Sequence, residues 1–367
     1  MRKITKVTLL FILTILTESC SGYSPARLFD SLEWEGQWNE RESMIFASYP
    51  IGSGYTVTYE SISNESSENE NLVALWENNQ RLGILDVQPY VGWGIDGFVT
   101  SDSLYLTYFK EGLGAGFTKV NLTTLINDFS LDIVPSGTVS IDLVSFPQGD
   151  GVVTVWGTTS EQTWLFIDSS GTLNETKTTS FALSSFESAN HSYRTFGKRT
   201  LKVGGITYLN FSGNLLSFDG EETSYISSPT VLGFPSISDV LSYYSTNVRG
   251  ESLREEFILY RTTGSDTETL VNIEEKYLRQ TDLGSRYFFQ DGRVFVLGTR
   301  QIGYAMFPCM LVYDEMSNHS YWSEFHYRDR PIYEPFYLIG NEFYQFSDNF
   351  ESGPYAYWHA AIPLPNE

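Results

Sequence analysis

A short apolar strand, a tight two-residue turn and a second apolar strand recur along this chain. The clearest copy runs from Ser285 to Tyr327. It predicts strands at Tyr287–Gln290, Arg293–Gly298, Tyr304–Asp314 and Tyr321–Tyr327. Asp291-Gly292 joins the first two, and Asp-Gly between apolar runs is a strong hairpin signal. Relatives of its second strand stand at Ser103–Phe109, Gly151–Gly157, Gly205–Phe211 and Asn341–Ser347, with weaker copies near Tyr55 and Glu255. Successive copies lie roughly 38 to 54 residues apart.

A repeat of that length, able to form a four-stranded meander, predicts an all-β chain folded as a β-propeller. One such sheet cannot bury both faces alone, whereas ringed neighbours bury them mutually. The markers give seven four-stranded blades; six or eight fit nearly the same rhythm. The rival architecture, two β-sandwich domains, predicts a linker and a change of rhythm near the middle, and neither is visible. An aromatic share of 16% suits strands, and 41% hydrophobic residues supply a core. The blades divide at about 43–88, 96–134, 139–181, 195–227, 238–281, 285–327 and 334–363, which makes 43–363 one propeller domain followed by a tail, 364–367. The last blade is short of a strand. Leu32–Trp38, in the linker 20–42, either supplies it and closes the ring or packs Trp34 and Trp38 beneath the barrel. Third strands end in an apolar-Asp pair at Ile167-Asp168, Phe218-Asp219 and Tyr313-Asp314. That ending, with Trp322 after the last pair, resembles a kelch repeat over one or two blades, but the Gly-Gly pair that kelch blades repeat occurs only at Gly204-Gly205.

Arg2, Lys3 and Lys6 precede an apolar run from Val7 to Leu16, which reads as a signal peptide over 1–19. Ser19-Cys20 after that run resembles the lipobox of bacterial lipoproteins, although Thr17 and Glu18 depart from its pattern. The resemblance implies lipidation at Cys20 and, with Ser21 following, an outer-membrane or cell-surface location. Simple cleavage would leave a periplasmic or secreted chain. The remaining thiol, Cys309, sits in an apolar strand and reads as buried and inert. A formal charge of −22 argues against nucleic acid as a partner and against bare anionic lipid, leaving membrane contact to the N-terminal lipid. Such charge also keeps chains apart, so a monomer is expected.

No P-loop, nucleophile elbow, metalloprotease helix or EF-hand loop is present. Ile167-Asp168-Ser169-Ser170-Gly171-Thr172 resembles a single Asp-box turn of sialidases and reads as an ordinary turn. The four histidines match no metal motif. In a propeller, the first strand of each blade lines the central channel. Phased as above, Asp96, Asp142 and Asp239 enter first strands and converge on one channel mouth, with Glu334 from the last blade joining them. Converging carboxylates repel unless a cation joins them, so the occupant would be Ca²⁺ or a ligand bearing Lys or Arg. Arg194, Arg199 and Arg286 are the candidate internal counter-charges. The blander role of each Asp, and the commoner one, is to cap a turn. The chain therefore reads as a binding or scaffolding module for an envelope protein or glycan. The alternative is an extracellular glycan hydrolase or lyase using carboxylates at the mouth.

Overall fold

The computed structural model describes residues 29–31, 36–63, 69–89, 94–110, 114–133, 142–157, 161–180, 194–196, 198–226, 230–235, 238–248, 256–274, 286–302, 305–324, 336–346 and 355–361. These residues contain strands and no helix. The signal segment, Cys20, Trp34 and Glu334 lie outside them. Two strands precede the first blade: β1 (Asp30–Ser31) and β2 (Gly36–Arg41). Blade 1 is β3 (Ser43–Gly52), β4 (Tyr55–Ser63), β5 (Asn69–Glu77) and β6 (Gln80–Leu85). Blade 2 is β7 (Ile95–Val99), β8 (Ser103–Lys110), β9 (Gly114–Asn121) and β10 (Asn127–Ile133). Blade 3 is β11 (Asp142–Gln148), β12 (Gly151–Gly157), β13 (Glu161–Asp168) and β14 (Leu173–Ser180).

An extra strand, β15 (Arg194–Phe196), then precedes blade 4, which is β16 (Thr200–Val203), β17 (Ile206–Phe211), β18 (Asn214–Phe218) and β19 (Thr223–Ile226). Blade 5 is β20 (Thr230–Gly233), β21 (Ser242–Val248), β22 (Glu256–Thr263) and β23 (Asp266–Glu274). Blade 6 is β24 (Arg286–Gln290), β25 (Arg293–Ile302), β26 (Ala305–Asp314) and β27 (His319–Glu324). Blade 7 has β28 (Phe336–Ile339), β29 (Glu342–Phe346) and β30 (Tyr355–Ala361). Each blade is an antiparallel meander in chain order. The result is a seven-bladed β-propeller.

Among the described residues, eight buried apolar clusters hold the ring together, at least one at each blade junction and two between blades 2 and 3. Blades 3 and 4 meet through Val144, Phe146, Trp164, Leu209 and Phe211, and blades 6 and 7 through Phe288, Phe295, Leu338 and Phe343. The β12 strand explains why the repeats read as continuous apolar runs. Its Val153 and Val155 face blade 4 while Trp156, one step out of phase, faces blade 2. A strand buried on both faces loses the usual in-out alternation. Cys309 is fully buried in the core between blades 5 and 6.

The ring closes through its N-terminus. Strand β2 pairs antiparallel with β30, from Gly36 opposite Ala360 to Arg41 opposite Tyr355, and so supplies the outer strand of blade 7. Just upstream, β1 pairs parallel with the outer strand of blade 6, Asp30 opposite Tyr321. The junction of blades 7 and 1 is also stitched directly: the Ile45 amide donates to the Tyr357 hydroxyl at 2.7 Å, and the Leu338 amide to Ser48 Oγ at 3.1 Å.

Two features differ from the sequence reading. Blade 5 begins at Thr230, not near Ser238, because its first strand is only four residues long. And β15 belongs to no meander. It pairs parallel with β24, the innermost strand of blade 6, and so lies on the channel side of the ring.

Candidate functional site

Turns joining first to second strands and third to fourth strands gather at one face. The sequence chose residues for them that tolerate the left-handed region. Asp291 and Gly292 have φ of 49° and 73°, as a two-residue hairpin turn of this hand requires. Third strands end in Asx residues for a related reason. Asn121 Oδ1 accepts from the amides of Thr123 and Thr124, each at 3.0 Å, and Asp168 Oδ1 from those of Ser170 and Thr172, each at 2.9 Å. Asp219 Oδ1 does the same with Glu221 and Glu222. The Ser170 hydroxyl, which donates to Asp168 Oδ1 at 2.6 Å, together with the Thr172 and Ser170 amides holds the Asp168 carboxyl below the usual carboxylate range, and the Glu222 and Glu221 amides do the same for Asp219. The Asp-box-like segment is thus a self-capped turn, one of several.

On this face the channel opens into a cavity of about 740 Å³. Its walls come from blades 1, 2, 3, 4, 6 and 7. Asn78, Gln290 and Asn341 line it, as do Tyr55, Phe98 and Phe289, of which Phe98 stacks on Tyr105 and Phe289 on Tyr244. The rim is tightly packed: a Cβ on Gly340 would stand 1.9 Å from the Asn78 carbonyl oxygen, and the Asn341 amide donates to Asn79 Oδ1 at 3.3 Å. Lys198 enters the wall half-buried, and burial lowers its pKa against the opposing pull of Glu315.

Asp96 and Asp142 meet around Arg199. The guanidinium Nη2 donates to Asp142 Oδ2 at 2.5 Å and Nη1 to the Leu143 carbonyl at 2.7 Å. Asp142 also accepts from the Ser212 amide, so it ties blade 3 to blade 4. Asp96, which reaches the cavity wall, accepts from the Ser145 amide at 2.6 Å. Burial pushes its carboxyl up to about 6, against the pull of Arg199. The cation that converging carboxylates need is here a side chain of the protein, the Arg199 that the sequence marked as a counter-charge. Asp239 is not with them. It is exposed in the connection after β20, at the other end of its blade's first strand. Arg194 and Arg286 are register partners in the parallel pairing of β15 and β24. Among the described residues, no three His, Cys, Asp or Glu side chains come together as a metal site.

Sequence reasoning missed a second concavity. A groove of about 710 Å³ runs between blades 5 and 6 and shares Asp291 with the channel mouth. In it Tyr244 donates to Glu315 Oε1 at 2.6 Å, and Arg261 donates to the Tyr313 hydroxyl at 2.9 Å and to Glu268 Oε2 at 2.7 Å. Tyr244 and Arg261 lie on neighbouring strands, and in register they are cross-strand partners. Their signal was the alternation within Ser242–Val248 and Glu256–Thr263, which becomes readable only once blade 5 is correctly phased.

No family model matches the sequence, and no curated protein matches it. Among solved structures the chain is similar to the β-propeller domain of the Trilobed protease from Pyrococcus furiosus, at 10% identity and a TM-score of 0.44, covering 89% of this chain and 97% of that one. It is similar to the Nup133 β-propeller domain of Vanderwaltozyma polyspora at 9% identity and a TM-score of 0.46, covering 90% and 99%. It is also similar to the polysaccharide lyase Uly1, at 8% identity and a TM-score of 0.43, covering 93% and 96%. Likenesses this distant carry no argument about activity. The fold assignment rests on the seven sheets themselves.

Proposed function

We propose that this propeller is an exported binding module, anchored at the outer membrane or cell surface through a lipid on Cys20, and that its channel mouth binds a glycan. The observation that carries the reading is the lining of the mouth. Each of Asn78, Gln290 and Asn341 offers an amide donor and acceptor together, the pair that adjacent sugar hydroxyls demand. Tyr55, Phe98 and Phe289 add aromatic surface to the lining, Phe98 with one face on Tyr105 and Phe289 with one on Tyr244, against which the C–H side of a sugar ring can lie. Little net charge faces the cavity, which suits a neutral polar ligand better than an ion.

The test is binding of neutral oligosaccharides, read on a glycan array and by calorimetry. Asn341→Ala and Gln290→Ala are each expected to weaken binding by about 1–2 kcal/mol, roughly five- to thirtyfold, through lost hydrogen bonds. Binding that neither variant weakens would remove the mouth as the site. Incorporation of labelled fatty acid, abolished by Cys20→Ser, checks the anchor.

A second reading, a glycan hydrolase or lyase, has one observation in its favour. Asp96 lines the cavity and holds its proton up to about pH 6, as a general acid must. New sugar ends appearing on incubation with a bound oligosaccharide, and lost in Asp96→Asn, would favour catalysis over simple binding.

A further inference from the structure

The groove between blades 5 and 6 is a second concave surface, with chemistry unlike that of the channel mouth. Asp266, Glu268, Asp291 and Glu315 all line it, against the single guanidinium of Arg261. That guanidinium is already committed to Glu268 and to the Tyr313 hydroxyl. Lys198 acts on Glu315 from the adjoining cavity, and the groove remains net negative. Its lips, by contrast, are apolar. Met316, which lines the groove on the blade 6 side, is 91% exposed. On the blade 5 side Val240, two residues from the groove-lining Ser238, is 51% exposed. Large side chains that open to water beside a concave acidic wall are what a partner would cover.

We infer that this groove docks a basic peptide segment of a partner protein, with a Lys or Arg between the acidic walls and neighbouring apolar side chains on Met316 and Val240. Charge complementarity selects the occupant. The chain carries −22 overall, a field that draws cations toward it and repels acidic polymers. The apolar lips favour a chain that alternates basic and apolar side chains over a small amine, which would leave them bare. The fixed hydrogen bonds of Tyr244 and Arg261 keep the walls in place before binding, which limits the ordering cost. This docking site adjoins the mouth at Asp291, and the inference does not rest on glycan binding there.

The experiment is fluorescence polarisation of a labelled nonapeptide of alternating Lys and Leu against the full chain, with a Glu-for-Lys peptide as control. The Lys peptide is expected to bind, to weaken with added salt, and to discriminate against the control. Asp266→Asn combined with Asp291→Asn removes two exposed charges, and Asn at 291 keeps the left-handed turn. This variant is expected to lose about three- to tenfold in affinity. Met316→Ser should weaken binding as well, while Asn341→Ala, at the channel mouth, should leave it unchanged. Equal binding of both peptides, or an unaltered affinity in the double variant, overturns the proposal. So does a chitosan oligomer that binds in a way the double variant abolishes while the Lys peptide does not bind, since the occupant would then be a cationic glycan.

Discussion

Asp96 is a case in which a single side chain works against the fold it belongs to. Its carboxyl is raised to about 6, chiefly by burial and against the pull of Arg199, whose direct ion pair goes to the neighbouring Asp142. A carboxyl that binds its proton more tightly when folded makes the native state the better proton holder. Stability should then fall as pH rises from about 4 through 6, with a cost above that window on the order of 1–3 kcal/mol, toward the lower end because Asp96 keeps some contact with water. Asp96→Asn retains an acceptor for the Ser145 amide and removes the charge. Its urea midpoint at pH 7.5 should exceed that of the parent chain, and the gain should vanish near pH 4; a gain of equal size at both pH values would place the effect elsewhere. Both aspartates were legible because each opens a first strand, and so was Arg199. Asp239 was misplaced because Thr230–Gly233 is too short and too mixed to announce itself as a strand. Glu60 gave no signal at all. It is fully buried in blade 1, where it accepts from Ser43 Oγ at 2.6 Å and from Thr58 Oγ1 at 2.5 Å, and nothing in Tyr-Glu-Ser marks a buried carboxylate.

At the scale of elements, the strand that closes the ring is held by more than its ladder. The Arg41 guanidinium, at the end of β2, sits 4.7 Å from the Trp76 ring centroid, 4.6 Å from Tyr344 and 6.0 Å from Tyr357. Trp76 belongs to blade 1 and the two tyrosines to blade 7, so one cation rivets the closing strand to both sides of the seam. Arg41→Ala should destabilise the chain by about 1–3 kcal/mol, through lost cation–π attraction and lost packing, read as a lower urea midpoint. Arg41→Lys should recover only part of this, because an ammonium cannot lie flat on several rings. Gly340 tests the same seam from the turn side. Its φ is 60° and its Cα packs on the Asn78 carbonyl, so Gly340→Ala should cost about 1–3 kcal/mol or more by forcing the two blades apart. The sequence put a turn at Gly340-Asn341 and offered Leu32–Trp38 either as the closing strand or as packing beneath the barrel. It could not reveal the cage, since Arg41, Trp76, Tyr344 and Tyr357 are brought together only by closure.

For the whole molecule, the inter-blade cores make stability a sum of neighbour contacts around a circle, and a circle differs from a row only at its seam. Period and turn chemistry were legible because every blade repeats them; β15 was not, because a three-residue strand leaves no periodic trace. The seam is where the repeat is broken, with blade 7 built from both ends of the chain. A chain starting at Ser43 keeps the buried inter-blade cores and the amide bonds from Ile45 and Leu338 but loses β1, β2 and Arg41. If β2 only decorates a ring already shut by blades 7 and 1, this chain should unfold in one transition with an unchanged dependence on urea and a slightly lower midpoint. If β2 is what shuts the ring, the bare edge of β30 should release blade 7 first. The main transition would then show a smaller m-value, because less surface remains to be exposed, and a clearly lower midpoint. The Arg41 cage and the six-residue ladder of β2 favour the second outcome. An unchanged m-value in the shortened chain would assign closure to the side-chain core between blades 7 and 1 instead.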